Sequence, residues 1–70
     1  MRLNPAQLSL LRWAWERGGG FHEADAYYRH HFGDDRLKTL TKRGLLMRLN
    51  RYEYRITDAV HPELAERGML

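Results

Sequence analysis

Apolar positions in the N-terminal quarter of the chain recur at helical spacing. Asn4 followed by Pro5 is a helix start, because Asn can accept from the first free N–H groups and Pro is pre-set for the first turn. The apolar spacing continues to about Arg17 and stops at the glycines of residues 18–20. The pattern therefore predicts a first helix between these limits.

This first helix has a narrow predicted core face. At about 100° per residue its apolar positions share one side, formed by Leu8, Leu11 and Trp15, with Ala14 beside them and Leu10 farther away. Trp13 points well away from that side. We expect its indole to pack against the N-terminal arm or the C-terminal helix of its own chain, and a contact with a second subunit or a protein partner is the alternative.

A second helix is predicted from His22 to about Phe32, preceded by Phe21 as a short extended residue that pairs with a later hairpin. Acidic residues at positions 23 and 25 fall in its first turn, where the helix dipole favours them. Gly33 ends the pattern. The face expected to pack inward carries Ala24, Tyr27, Tyr28 and His31.

The third predicted helix runs from Arg36 to about Arg43. Asp34 or Asp35 is placed to cap it, Leu37 and Leu40 form its buried ridge, and Gly44 stops it in a left-handed turn.

Residues 45–56 alternate in the manner of a β-hairpin. With a two-residue turn at Asn50-Arg51, the opposed pairs are Leu49 with Tyr52, Arg48 with Glu53, Met47 with Tyr54, Leu46 with Arg55, and Leu45 with Ile56. Asn-Arg is a less favoured turn than Asn-Gly, so a longer loop at the tip is the alternative. This register predicts an inward set of Leu45, Met47, Leu49, Tyr52, Tyr54 and Ile56. The outward set then contains Arg48, Glu53 and Arg55, with Glu53 partly neutralising Arg48 across the hairpin.

After the hairpin, Thr57-Asp58 is expected to cap a short helix that contains Pro62 and packs Val60, Leu64 and Leu70 inward.

Charge is unevenly distributed along the 70 residues. The net charge is +3, but residues 1–35 hold four Arg against five acids, whereas residues 36–70 hold eight Lys and Arg against four acids. The window 36–55 holds seven of these cations and one acid. Such clustering is typical of a phosphate-binding surface, and a solvated charged face is the alternative interpretation.

Two short motifs resemble a known family. Leu37-x-x-Leu40-x-x-x-Gly44-Leu45-Leu46, followed by Tyr54-x-Ile56-Thr57-Asp58, is similar to the recognition-helix end and wing return of MarR-like and PadR-like bacterial regulators. The order helix, short strand, helix, helix, hairpin, helix is that of a winged helix-turn-helix. The resemblance implies one α+β, mainly α, domain over residues 1–70, with three helices, a two-stranded hairpin wing and a short C-terminal helix.

The family resemblance also implies double-stranded DNA as a partner, with the third helix in the major groove and the wing at the backbone or minor groove. The residues expected to reach nucleic acid are Arg36, Lys38, Thr39, Lys42, Arg43, Arg48, Arg51 and Arg55. We therefore expect a transcriptional regulator or accessory DNA-binding factor. The alternative is a winged-helix module that binds a host or regulatory protein, or forms a homodimer, through Trp13 and the first helix.

Other chemistries have little support in the residues. The histidines show no i, i+4 pair for a metal, and the triple glycine is not followed by the Lys and Ser or Thr of a phosphate loop. The chain has no cysteine and one serine. We expect no enzyme activity, no cofactor and no membrane association. The absence of cysteine favours a cytoplasmic location.

Overall fold

The computed structural model describes residues 3–32 and 36–69 and has an α+β fold. Within these residues four helices accompany a three-stranded antiparallel sheet of order β1-β3-β2. The elements in chain order are α1 (Pro5–Glu16), β1 (Gly20–His22), α2 (Ala26–His31), α3 (Arg36–Lys42), β2 (Leu46–Arg48), β3 (Glu53–Ile56) and α4 (Val60–Glu66). The predicted fold class is confirmed at the level of α+β. None of the helices in the described ranges is long and apolar enough to cross a membrane.

Helix α1 begins as the sequence predicts, but its buried face is wider. The Asn4 side chain accepts from Gln7 N at 2.8 Å, and Gln7 Oε1 accepts from Asn4 N at 2.9 Å, which forms a reciprocal capping box. Leu10 is fully buried, whereas Trp15 is 38% exposed, so the predicted core face is wrong at both positions. Because α1 contacts the sheet on one side and α4 on another, the buried stripe extends over Leu10 and leaves Trp15 at its edge beside His61.

The segment after the glycines is a strand before it is a helix. Phe21 pairs with Tyr54 in the sheet, which confirms the predicted extended residue. His22 belongs to β1, so α2 begins only at Ala26 and the predicted start at His22 is wrong. Of the predicted inward face of α2, only Tyr28 is buried; the rest of it, Ala24, Tyr27 and His31, is exposed. Because residues 20–22 form a strand, α2 is shorter than predicted and only Tyr28 of that face is buried in the core.

Asp25 caps α2 with its carboxylate, and the surroundings of this group lower its pKa. Its carboxylate accepts from Tyr28 N at 3.1 Å and lies 3.2 Å from the Arg17 guanidinium. The hydrogen bond from Tyr28 N, with the charge of Arg17, lowers the pKa of Asp25 below its ordinary value of 3.8, although desolvation opposes the shift. A carboxyl whose folded pKa is lowered stabilises the fold above its unfolded pKa.

We expect that stabilisation to disappear as the pH falls through the lowered folded pKa of Asp25. In Asp25→Asn the amide oxygen keeps the cap but no longer titrates. Urea denaturation at pH 3 to pH 6 should therefore show a smaller loss of stability in acid for Asp25→Asn than for the parent chain. Glu16→Gln is the matched control, since it neutralises an exposed carboxylate that lies 2.9 Å from Arg12 within one helix. Equal acid sensitivity of parent and Asp25→Asn would contradict the assignment.

The hairpin forms where the sequence predicts it, but in a register one residue away. The observed pairs are Leu46 with Ile56, Met47 with Arg55 and Arg48 with Tyr54. Leu49 N donates to Glu53 O at 2.9 Å, so the tip contains residues 50–52, which is the longer-loop alternative and not the two-residue turn. The reason is local: Asn50 Oδ1 accepts from Tyr52 N at 2.9 Å and Glu53 N at 3.0 Å, which closes a three-residue loop.

A slip of one residue exchanges the faces of one strand. The predicted inward residues Met47, Leu49 and Tyr52 are in fact about half exposed, while Leu46 is buried. Tyr54 and Ile56 pack against the core as predicted. Arg48 lies opposite Tyr54 and not Glu53, so the predicted neutralisation of Arg48 across the hairpin is wrong.

Helix α3 and the end of the hairpin are joined by one side chain. Leu37 and Leu40 are buried and Gly44 has a φ of +78°, as predicted. Thr57 Oγ1 donates to Gly44 O at 2.6 Å, and Thr57 N donates to Leu45 O at 3.0 Å. The hydroxyl is thus engaged away from α4, whose N-cap is Ala59 without a side-chain bond, so the predicted Thr57-Asp58 cap is wrong.

The C-terminal helix packs as the pattern indicates, with Val60 and Leu64 fully buried. The predicted roles of Gly33, Asp34, Asp35 and Leu70 lie outside the described residues.

Candidate nucleic-acid interface

The exposed side of α3 is set by its two buried leucines. Leu37 is 5% exposed and Leu40 is fully buried, so both anchor the helix to the core. Lys38, Thr39 and Lys42 occupy positions between and after them and are exposed. Helical spacing places Lys38 and Lys42 four residues apart on the same side of α3. The helix therefore presents two ammonium groups together.

The hairpin adds a third cation to this side of the molecule. Arg48 on β2 lies on the sheet face that carries Tyr54, which is the face toward the core. Together with α3 this end of β2 borders an open groove, called here the α3–β2 groove, which is lined by Glu23, Leu37, Lys38, Thr41, Lys42, Arg48 and Tyr54. Three cations from two elements thus line one depression, together with the acidic residue Glu23.

The loop at the hairpin tip is held by side chains of the hairpin itself. Arg48 Nε donates to Asn50 O and Arg48 Nη2 donates to Arg51 O, both at 3.1 Å. Asn50 Nδ2 donates to Glu53 Oε1 at 2.9 Å. Arg51 projects from this loop, exposed, with its guanidinium 5.7 Å from the centre of the Tyr52 ring. A cation is therefore presented at the tip of a loop whose backbone is already ordered.

Three of the arginines that the sequence predicts at nucleic acid lie elsewhere. Arg36 is partly buried and its Nη1 donates to Phe32 O at 2.7 Å, which links α3 to the end of α2. Arg43 lines a different depression with Leu3, Leu45, Ala59 and Glu63. Arg55 lies on the opposite face of the sheet from Arg48, since it is paired with Met47. The structure thus brings together Lys38, Lys42 and Arg48, with Arg51 at the tip, and separates the other three from them.

Glu23 and Tyr54 are among the groove residues that were not anticipated as part of a site. Glu23 was expected only as a favourable charge in a helix start, and Tyr54 only as a core residue. In the structure Glu23 N donates to Tyr52 O at 2.6 Å, which fixes the turn after β1 against the hairpin. The sequence signal that could have placed Glu23 there is the run Gly20–Phe21–His22 read as a strand, with Asp25 as the following cap.

Trp13 lies at the centre of a group of rings. Its ring centre is 5.3 Å from Phe21, 5.4 Å from Tyr27 and 5.7 Å from Phe32, and the Arg17 guanidinium lies 4.6 Å from it. The indole packs against its own chain, as expected, but against α2 and β1 and not against the N-terminal arm or the C-terminal helix. Stacking on Tyr27 and contact with Arg17 leave Trp13 partly buried.

Within residues 3–32 and 36–69, no group of three or more His, Asp or Glu side chains is arranged to hold a metal ion. The chain matches no protein-family model, and no curated protein or solved structure matches it significantly.

Proposed function

We propose that this chain is a winged helix-turn-helix protein that binds double-stranded DNA through the α3–β2 groove and Arg51, as a transcriptional regulator or accessory DNA-binding factor. The observation that carries the proposal is that Lys38 and Lys42 from α3 and Arg48 from β2 line one open groove. The element order and the β1-β3-β2 sheet support the winged-helix assignment.

The chemistry of the groove suits a phosphate backbone. Lysine ammonium groups are flexible point charges for phosphate oxygens, and Arg48 keeps guanidinium N–H groups beyond the two that bond the tip. Within the described part of the chain, helix α3 spans the seven residues Arg36–Lys42. We therefore expect backbone contacts to contribute more than base contacts, and sequence selectivity to be modest.

The alternative of a protein-binding module centred on Trp13 has less support. The ring contacts of Trp13 are made within its own chain, so that its indole is not a free anchor for a partner.

The test is a salt titration of binding to duplex DNA. If Lys38, Lys42, Arg48 and Arg51 each meet a phosphate, the logarithm of the affinity should fall with the logarithm of salt concentration with a slope of about −3.6. Lys38→Gln and Lys42→Gln should each weaken binding at low salt and make the slope shallower by about 0.9. The absence of duplex binding at low salt and micromolar protein would overturn the proposal.

Arg12→Gln is the matched control for these variants. Arg12 is exposed on α1, outside the groove, and pairs with Glu16 at 2.9 Å. Its replacement also removes one positive charge, so it should lower the overall attraction slightly and leave the slope unchanged. If Arg12→Gln changes the slope as much as Lys42→Gln, then DNA responds to net charge and not to the groove.

A further inference from the structure

The side of the sheet opposite the α3–β2 groove carries exposed apolar side chains. This outer sheet face is formed by the residues that alternate with the core-facing positions, namely Gly20, His22, Met47, Leu49, Glu53 and Arg55. Met47 is 49% exposed and Leu49 is 53% exposed. Tyr52, 49% exposed, stacks its ring on His22 at 5.7 Å and extends the same surface. A cluster of this kind on a small protein is typical of an interaction surface.

The two charged residues of β3 on the outer sheet face form a self-complementary pair, with the Arg55 guanidinium extending over Gly20 of β1. Glu53 and Arg55 lie two residues apart on β3, which is the central strand, so their side chains leave the same face about 7 Å apart. A carboxylate and a guanidinium in this arrangement are complementary to the same two groups on a second copy of β3, when that copy faces the first and runs antiparallel to it. The axis of this arrangement is two-fold, lies between the two stacked sheets and runs across the strands at the level of Tyr54. It places Glu53 of each copy against Arg55 of the other.

The same axis also pairs the apolar residues of β2. Met47 is level with Arg55 in the ladder, and Leu49 is level with Glu53. The two-fold rotation that places Glu53 opposite Arg55 therefore also places Met47 opposite Leu49 of the second copy. Apolar side chains meet apolar ones while each charge meets its opposite, in a single orientation of the two sheets.

We propose that a second copy of this chain docks on the outer sheet face and forms an isologous dimer of two stacked sheets. The residues involved are far fewer than the roughly 20–30 per side of a standard interface, so the dimer is weak and depends on protein concentration. The α3–β2 groove stays uncovered, because Arg48 and Tyr54 lie on the other face of the sheet. The dimer differs from a dimer through α1 and leaves the groove lysines free, but its edge reaches Tyr52, whose ring lies 5.7 Å from the Arg51 guanidinium.

The test is sedimentation equilibrium from micromolar to millimolar protein, without DNA. The parent chain should show a reversible monomer–dimer equilibrium. Glu53→Arg brings two guanidinium groups together at both charge contacts, and Arg55→Glu brings two carboxylates together. Each variant alone should weaken association by about tenfold or more, because like charges face each other across the interface.

Mixing the two variants distinguishes this dimer from any other. In a mixed pair each reversed charge meets an opposite one, so an equimolar mixture of Glu53→Arg and Arg55→Glu should recover association close to that of the parent. Glu53→Gln is the control for the bond that Asn50 Nδ2 donates to Glu53 Oε1, since the amide oxygen still accepts it, and should weaken association less. A parent chain that stays monomeric at millimolar concentration, or a mixture as weak as either variant alone, would overturn the proposal.

Discussion

Leu10→Ala is expected to destabilise the domain by about 2–5 kcal/mol, because it removes a fully buried side chain and leaves a cavity. Leu10 is 0% exposed, on the helix that contacts both the sheet and α4. A domain of this length has a total stability of roughly 3–10 kcal/mol, so the variant should be partly or wholly unfolded at room temperature. Urea denaturation followed by circular dichroism would measure the change.

Leu49→Ala is the matched control for Leu10→Ala. It makes the same chemical change at a side chain that is 53% exposed, so the expected loss is about 0.5 kcal/mol or less at low protein concentration. The sequence pattern ranks these two leucines in the opposite order, with Leu49 inside the hairpin and Leu10 at the margin of the core stripe. Equal losses for the two variants would contradict the described packing of α1 and the hairpin register.

Gly19→Ala is expected to cost about 2–4 kcal/mol, since two separate effects add at this position. Gly19 has a φ of +98°, which an L side chain adopts only with strain. A Cβ there would also lie 3.3 Å from Ile56 Cγ1, a tight contact within the core. The backbone cannot move away easily, because Gly19 N donates to Ala14 O at 2.7 Å and Gly19 O accepts from Ile56 N at 2.8 Å.

Gly18→Ala separates the two effects. Gly18 has nearly the same φ of +96°, but a Cβ there would meet nothing within 4 Å. Only the backbone strain remains, so we expect a loss of about 1–2 kcal/mol. Thermal or urea unfolding would measure the free energy of unfolding of both variants. A larger decrease for Gly18→Ala than for Gly19→Ala would show that the contact with Ile56 does not add to the cost at position 19.

Local signals predicted the parts of the fold that depend on near neighbours in the chain. The cap at Asn4 and the left-handed turn at Gly44 follow from interactions within four residues and from the freedom of glycine at positive φ. The helical spacing of Leu37 and Leu40 marks the side of α3 that is buried. The extended Phe21 also follows, because the glycines before it end α1. The cluster of seven Lys and Arg residues in the window 36–55 could also be identified from the sequence alone.

The tertiary structure alone decided how those cations are divided. Along the chain, Arg36, Arg43 and Arg55 look equivalent to Lys38 and Lys42. In the fold, Arg36 donates to Phe32 O, Arg43 lines a different depression, and Arg55 is on the outer sheet face. Which side a charge reaches depends on the register of the sheet and on the packing of helices that are distant in sequence.

The hairpin of β2 and β3 shows which features of the fold the sequence predicted and which it did not. The alternation of apolar and polar residues over 45–56 predicted two strands and a turn, because the same residues form an antiparallel ladder with either a two-residue or a three-residue tip. It did not select between a two-residue and a three-residue tip, since that choice depends on the bonds that Asn50 and Arg48 make inside the loop and on the pairing of β3 with β1. The sequence by itself therefore determined that a hairpin follows α3, and the folded sheet decided that Arg48 joins the groove while Met47 and Leu49 face outward.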